Sequence, residues 1–234
     1  MSSDLANASG VLFEIFDPDN TVRTSFKNAV AADALAFSEA FAPAFACFNR
    51  FMELGNGSVQ RALVIALMHG VLDDCLTSTK LLLTGKLSAS GNLARQAAEG
   101  ICMAIMTAHP SELDFKDGKF HYWRLIVDES DIAEGNRAPH QLLANEAAFG
   151  MAAGAAEQLK ANVAIHHPSS HAGRLAMANR MDLNGRMIYF GGHFDDAKID
   201  GYRLELRDRV NLCRWAVEVM NELRTRVERL PKDV

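Results

Sequence analysis

The stretch from Ser88 to Ala108 constrains the fold more than any other part of the chain, because its apolar residues follow a helical spacing. They recur four residues apart, at Leu93, Ala97, Ile101 and Ile105. This spacing predicts one apolar face of an α-helix. Ala94 and Ala98 are small enough to let a neighbouring backbone approach closely. A helix with this surface needs other helices packed around it, which favours a helical bundle.

Further helices are predicted on both sides of this stretch from apolar spacing and from punctuating Ser, Gly and Pro residues. The predicted helices run from about Thr21 to Leu54, Val59 to Leu83, Ser88 to Ala108, Phe120 to Glu129, Pro139 to Ile165 and Tyr202 to Leu230. We expect Pro43 to kink or split the first of them, because an interior proline removes a backbone hydrogen bond. Ser58 is the expected N-cap of the second helix, and Ser88 or Ser90 that of the third.

The predicted fold class is mostly α, a multi-helix up-and-down bundle with a small β-hairpin-like excursion near residues 183–194. That excursion is expected because the Asn184–Gly185 pair is typical of a tight turn and an extended pattern follows it. No repeat or change in composition marks a domain boundary. We therefore predict a single helical domain over residues 1–234, with 1–19 as an N-terminal extension and 20–230 as the bundle.

Composition excludes several classes of protein. Hydrophobic content of 49% and charged content of 23% indicate a globular chain. The net charge of -5 argues against an extended nucleic-acid footprint. Four well-separated cysteines without a Cys-x-x-Cys pair predict reduced core thiols and a cytoplasmic location. The N-terminus lacks a signal-peptide pattern, and the longest apolar run, Ala62 to Met68, is too short to span a bilayer, so no membrane association is expected.

The segment from Ala164 to Arg174 is the first candidate site, because it holds three of the eight histidines. No Asp or Glu occurs between Gln158 and Met181, so the surroundings are locally positive. The predicted ligand-binding residues are His167, Ser170, His171 and Arg174. Imidazole, hydroxyl and guanidinium groups suit an anionic or nucleotide-like ligand. Alternatively, Ser169 or Ser170 caps a following short helix and the segment has only a structural role.

Two pairs spaced four residues apart are further candidates. Arg95 and Glu99 are expected side by side on one helix, as a structural ion pair or as part of a site. His69 and Asp73 have the same spacing, and a carboxylate can orient an imidazole for base or metal chemistry. The last helix carries arginines interleaved with acids, among them Arg203, Arg207, Arg209 and Arg214. That mixture predicts a solvated face.

The chain resembles HEPN-like bacterial helical domains, which include abortive-infection-type proteins and related families of unknown function. The resemblance rests on the segment Ser88–Glu99, with its Arg and Glu, and on Pro168-Ser-Ser-His171. It implies a helical fold, a homodimer, and a nucleotide- or RNA-like ligand in a stress or defence setting. Active members cut RNA with a helical Arg and a His a few residues later. Arg186 and His193 have this spacing but flank an extended pattern, so RNA cleavage is not expected.

A second resemblance concerns helical bundles of the DinB type, which hold a metal with one histidine from an early helix and two later histidines. His69, His167 and His171 have a similar spacing. The resemblance implies an enzyme dependent on a divalent transition metal.

Three functions therefore stay open at the level of the sequence. The first is a HEPN-like protein that binds an anionic ligand. The second is a metal-dependent enzyme. The third is a non-catalytic interaction scaffold without a small-molecule site, which uses an exposed apolar surface for assembly.

Overall fold

The computed structural model describes residues 6–9, 11–12, 20–170 and 173–232, apart from the side chains of 169 and 170. Over this range the chain is mostly α-helical with one small antiparallel hairpin, which confirms the predicted fold class. The helices are α1 (Thr21–Ala29), α2 (Ala31–Met52), α3 (Val59–Leu82), α4 (Leu87–Thr107), α5 (Tyr122–Val127), α6 (Ala138–Ala144), α7 (Glu146–Phe149), α8 (Ala155–His166), α9 (Arg174–Ala178) and α10 (Ile199–Arg229). The strands are β1 (Leu113–Phe115) and β2 (Gly118–Phe120). Short 3-10 helices cover Glu53–Gly55, Asp131–Ala133, Gly135–Arg137, His167–Ser170 and Asp196–Lys198.

Helices α3 and α4 form the centre of the bundle and pack most extensively against each other. The prediction that small residues of α4 allow close helix packing is confirmed, since Ala94 and Ala98 are completely buried. At Gly100 an added Cβ would lie 2.9 Å from a methyl group of Val71, so the two helices approach closely there. Helix α10 packs on α2 and α3, and α8 packs on α4.

Two predicted helices are divided at positions that the sequence analysis did not identify. Pro43 lies inside α2 without ending it, and the break falls at Val30 between α1 and α2. The helix predicted over 139–165 is three helices, α6, α7 and α8. Gly150 and Gly154 separate the last two, with φ of 58° and 80°. Those left-handed conformations are available to glycine at little cost, and they stop a right-handed helix.

The hairpin lies earlier in the chain than predicted. Strands β1 and β2 pair around the turn at Lys116–Asp117, with Leu113 opposite Phe120. An Asp-Gly pair between aromatic residues is a recognised hairpin signal, and Asp117–Gly118 provides it here. In the region 183–194 the chain instead forms a turn closed by a single antiparallel bridge between Met181 and Ile188.

The predicted caps are partly confirmed. Ser58 accepts a hydrogen bond from the backbone N–H of Arg61 at 3.3 Å and begins α3 as expected. The cap prediction for α4 is wrong, because the helix already begins at Leu87 and its N-cap residue, Lys86, makes no side-chain cap. Ser90 is buried inside the helix, where its hydroxyl donates to the carbonyl of Ser78 at 2.7 Å. It joins α4 to α3.

The predicted solvated face of α10 is wrong at Arg209, whose side chain is 0% exposed. Its Nε donates to Ser78 Oγ at 2.9 Å, and its Nη2 donates to Ser90 Oγ at 2.7 Å. Its Nη1 donates to the carboxylate of Glu205 at 2.7 Å and to the carbonyl of the same residue at 2.6 Å. One guanidinium thus joins α3, α4 and α10, and the Glu205 carboxylate compensates its charge.

The four cysteines agree with their prediction. Cys47, Cys75, Cys102 and Cys213 are all buried and free. Burial raises the pKa of Cys102 well above its usual range, so its thiol is held protonated.

Two helical segments, Ala31–Gly55 and Val59–Leu82, are long and apolar enough to cross a membrane by length and composition alone. Core helices of globular proteins meet the same criterion, so this finding does not assign a location. The cytoplasmic location stays a prediction.

We expect the change Arg209→Ala to lower the free energy of unfolding by about 3–5 kcal/mol, because it leaves buried hydroxyls and a carboxylate without their partner. Urea denaturation followed by far-UV circular dichroism measures the loss. The matched control is Arg207→Ala, an exposed arginine two residues earlier on α10. Equal stability of the two variants would contradict the assignment.

Candidate functional site

A cavity of about 910 Å³ opens between α4, α6, α8 and the β1–β2 turn. Its walls carry both basic and acidic side chains. The basic lining residues are Arg95, Lys116, Arg137, His140, Lys160 and His167, and the acidic ones are Glu99, Asp114 and Asp117. Apolar side chains, including Phe115, Ile132 and Val163, fill the remaining wall. A concave site with a few converging polar groups is the usual form of a small-molecule pocket.

Asn145 fixes the hairpin at the edge of this cavity. It is buried at the end of α6, and its Oδ1 accepts from the backbone N–H of Asp114 at 2.9 Å. Its Nδ2 donates to the carbonyl of Asp114 at 2.9 Å and to that of Gln141 at 3.0 Å. Gln141 in turn donates to the carbonyl of Ile132 at 2.7 Å. These bonds hold the turn that carries Lys116 close to α6.

Arg95 and Glu99 line the inner part of the cavity on α4. Their side chains form an ion pair at 3.1 Å, and Arg95 also donates to Asn92 at 3.3 Å. Burial raises the pKa of the Glu99 carboxyl, and the neighbouring Arg95 guanidinium opposes that rise. The buried Nε of Arg95 and the buried Oε1 of Gln141 have no hydrogen-bond partner among the described residues. Both belong to residues of the cavity wall.

Helix α8 is fixed to α10 through the Asp208 carboxylate. His166 Nε2 lies 2.7 Å from Asp208 Oδ2, and Asn162 Nδ2 donates to Asp208 Oδ1 at 2.5 Å. His166 and Asn162 are buried, so this contact sets the orientation of α8 on the bundle. His166 therefore has a structural role. Lys160 and His167, on the same helix and at its end, line the cavity.

The structure brings together three of the residues predicted from the sequence. Arg95, Glu99 and His167 line the same cavity although they come from separate parts of the chain. Arg174 is exposed on α9 and does not line the cavity. The side chain of Ser170 and the whole of His171 lie outside the described residues.

The histidine proposed as the early metal ligand is placed elsewhere. His69 is exposed on α3 and packs its ring against Phe48, with centroids 5.7 Å apart. It does not line the cavity that contains His167. Within the described ranges, no three His, Cys, Asp or Glu side chains are grouped to hold a metal ion. Because His171 lies outside those ranges, the three-histidine set stays a prediction.

A second cavity, of about 690 Å³, opens between α3, α4 and α5. It shares Arg95, Glu99 and Asn136 with the first cavity. Its lining includes Asp74, whose pKa is raised to about 6 by burial and by the neighbouring Asp73 carboxylate. The Arg95–Glu99 pair thus lines both cavities, one with more basic and one with more acidic side chains.

No family model, curated protein or solved structure matches the chain. The HEPN-like and DinB-type resemblances therefore stay predictions. A proposal for the function therefore depends on the geometry of the cavity.

Several cavity residues were missed by the sequence analysis. Arg137 and His140 flank Pro139 at the start of α6, and Lys116 lies in the hairpin turn. Charged residues next to a helix-initiating proline and an Asp-Gly turn mark exposed loops, which often carry binding groups. Nothing in their spacing indicated that these loops meet at one cavity.

The raised pKa of Asp74 predicts that the change Asp74→Asn stabilises the protein above pH 6. Unfolding returns the carboxyl to its ordinary pKa of 3.8, so folding favours the protonated form. Asp74 therefore favours folding at low pH, and that contribution is lost as the pH rises through about 6. We expect the variant to have a higher urea midpoint than the parent above pH 6, with the gain disappearing near pH 3.8.

The control for this experiment is Glu112→Gln, which removes an exposed carboxylate that forms no ion pair with another described residue. It should leave the midpoint unchanged across the same pH range. A pH-independent gain for Asp74→Asn would show that packing, and not the proton equilibrium, is responsible.

Proposed function

We propose that the chain binds a small anionic metabolite, phosphorylated or carboxylated and nucleotide-like, in the cavity beside Arg95. The observation that carries this proposal is the charge of the lining. Four Lys or Arg side chains and two histidines face three carboxylates there, in a chain whose net charge is -5. A basic concave site in an acidic protein attracts anions selectively.

The ion pairing of the basic side chains in the lining supports the proposal. Lys116 and Lys160 make no ion pair with any other described residue, so their ammonium groups are available to a ligand. Among the described residues Arg137 pairs only with Glu134, at 3.4 Å on an exposed surface, where an ion pair is weak and exchangeable. Arg95 already shares a carboxylate but keeps a buried Nε–H without a described partner.

The apolar part of the lining favours a ligand with a planar or apolar body. Phe115, Ile132 and Val163 supply this surface, and the charged groups lie among them. A free inorganic ion would leave the apolar wall uncovered. A nucleoside monophosphate has both a flat base and an anionic group, so it suits the lining better.

The proposal includes the HEPN-like affiliation, the cytoplasmic location and a stress or defence setting. The motif on which the resemblance rests contributes Arg95 and Glu99, and these residues line the proposed site. The proposal does not include RNA cleavage. Arg186 and His193 flank non-helical chain, and the His193 ring is buried against Tyr189 at a centroid distance of 4.2 Å.

The test is calorimetric titration of the protein with AMP and, separately, with inorganic pyrophosphate at low ionic strength. We expect the double change Lys160→Ala with Lys116→Ala to weaken binding about 100-fold or more, since each hydrogen bond to a charged group contributes about 1.5–3 kcal/mol. Thermal unfolding should be unchanged, because both side chains lack structural partners in the described chain.

The matched control is Lys27→Ala with Lys80→Ala, which removes the same charge away from the lining. It should bind AMP as the parent does. Absence of AMP and pyrophosphate binding by the parent, or equal weakening by both double variants, would overturn the proposal. Stronger binding of AMP than of pyrophosphate would support the role given to the apolar wall.

A further inference from the structure

The 174–190 segment, which comprises α9 and the turn that follows it, exposes a group of large apolar side chains. Phe190 is 78% exposed and Ile188 is 70% exposed. The other exposed apolar side chains of the segment are Leu175, Met177, Leu183 and Met187. Single exposed apolar residues are common on protein surfaces, whereas a group of them within one short segment marks an interaction site.

The turn that carries most of these side chains is closed by backbone hydrogen bonds. Met181 pairs with Ile188 in an antiparallel bridge. Between them, the Asp182 carboxylate accepts from the backbone N–H groups of Arg186 and Met187 at 2.7 and 2.9 Å. The exposed apolar side chains therefore project from a turn with a defined shape.

The base of this turn is fastened to the residues that precede α10. Lys198 Nζ donates to the carbonyl oxygens of Ala178 and Met181. The Asp195 carboxylate accepts from the backbone N–H of Leu183 at 2.8 Å. A partner that meets the turn thus meets a preformed surface, which reduces the conformational entropy lost on binding.

The charged residues of the segment are mostly basic, although the chain as a whole has a net charge of -5. Arg174, Arg180 and Arg186 are exposed, and none of them forms an ion pair with another described residue. Asp182 is the only acidic residue between Arg174 and Phe190. The partner that complements this segment therefore offers an apolar phase and negative charge together.

We infer that the 174–190 segment attaches the protein to the surface of a lipid bilayer that contains anionic lipids. Ile188 and Phe190 enter the boundary between the headgroups and the acyl chains, where apolar side chains of peripheral proteins are buried. The arginines contact the lipid phosphates, because a guanidinium binds phosphate oxygens in a bidentate manner and its stem can lie along apolar surface. The negative potential of such a surface attracts basic residues selectively.

A bilayer complements this surface better than a second protein does. Ile188 and Phe190 are highly exposed because they project from a turn, and little of the described chain surrounds them. A protein interface holds such side chains in well-packed pockets of matching shape. A bilayer accepts projecting side chains without a shaped complement, and its anionic headgroups meet the arginines beside them.

Attachment at the surface differs from the membrane association that the sequence makes unlikely to span a bilayer. A spanning helix requires a long apolar run, whereas a few projecting side chains with basic neighbours suffice at the boundary. A protein held on the cytoplasmic face of a bilayer also keeps the predicted cytoplasmic location.

The segment is separate from the proposed anion site. None of its residues lines the cavity beside Arg95. Variants of the segment should therefore bind AMP as the parent does, and a failed AMP experiment would leave the lipid-binding surface unaffected.

The first test is flotation of the full chain with vesicles of phosphatidylcholine and phosphatidylserine in equal parts, compared with vesicles of phosphatidylcholine alone. We expect the parent to float with the mixed vesicles and to bind the neutral vesicles much more weakly. The double change Ile188→Glu with Phe190→Glu should abolish flotation, because it places two carboxylates where apolar side chains enter the bilayer. Thermal unfolding should be unchanged, since both side chains are exposed.

The matched control is Leu35→Glu with Leu204→Glu, which makes the same exchange at positions that are 60% and 63% exposed on α2 and α10. It should float as the parent does. A parent that does not float with the mixed vesicles, or equal loss of flotation in both double variants, would overturn the inference.

The second test separates the arginines from the apolar side chains. Arg180→Gln with Arg186→Gln should weaken binding to the mixed vesicles roughly 25-fold, since each basic residue near an anionic surface contributes about fivefold. Higher ionic strength should weaken binding of the parent in the same direction, because salt screens exposed charges. Unchanged binding of this variant, or equal binding of the parent to mixed and neutral vesicles, would contradict the role of the anionic lipid.

Light scattering distinguishes a protein partner from a lipid surface. A parent that forms an oligomer and does not float, with the oligomer lost in the Ile188→Glu and Phe190→Glu variant, would assign the segment to a second copy of the chain. That result would also overturn the inference.

Discussion

The packing of the bundle depends on the buried guanidinium of Arg209. Placing a charge at 0% exposure costs several kcal/mol unless hydrogen bonds and a counter-charge replace water. Ser78, Ser90 and Glu205 provide these from α3, α4 and α10. Because four hydrogen bonds from one rigid guanidinium must be satisfied at once, the three helices have little freedom to slide or rotate relative to one another.

The residue before Arg209 extends this control to the cavity beside Arg95. Asp208 holds Asn162 and His166 of α8, so α8 takes its position from the same turn of α10. Lys160 and His167 then reach the cavity from α8, and Arg95 reaches it from α4. Asp208 and Arg209, which are consecutive on α10, therefore position α8 and α4, the two helices from which these side chains reach the cavity.

Much of the fold follows from local sequence, and the site follows from it only in part. The spacing around Ala94 and Ala98 was enough to place a central helix with a close neighbour. The alanines around Gly150 and Gly154 continue the helical pattern, and only the left-handed backbone of the two glycines shows that the helix stops. Arg209 looked like its exposed neighbours, because periodicity alone does not distinguish a paired buried charge from a solvated one. Lys116 reaches the cavity that Lys160 also lines because Asn145 holds the hairpin against α6.

The shared wall of the two cavities has a thermodynamic consequence. Glu99 is held between burial, which raises its pKa, and the Arg95 guanidinium, which lowers it. An anion that draws on Arg95 weakens the lowering effect and adds a negative charge nearby. Both changes would favour the protonated carboxyl, so binding of the proposed anion would be linked to uptake of a proton. By the same linkage, acidification would strengthen binding of that anion. Through the Arg95–Glu99 pair, which also stabilises α4, the affinity for the proposed anion and the protonation of Glu99 would be coupled.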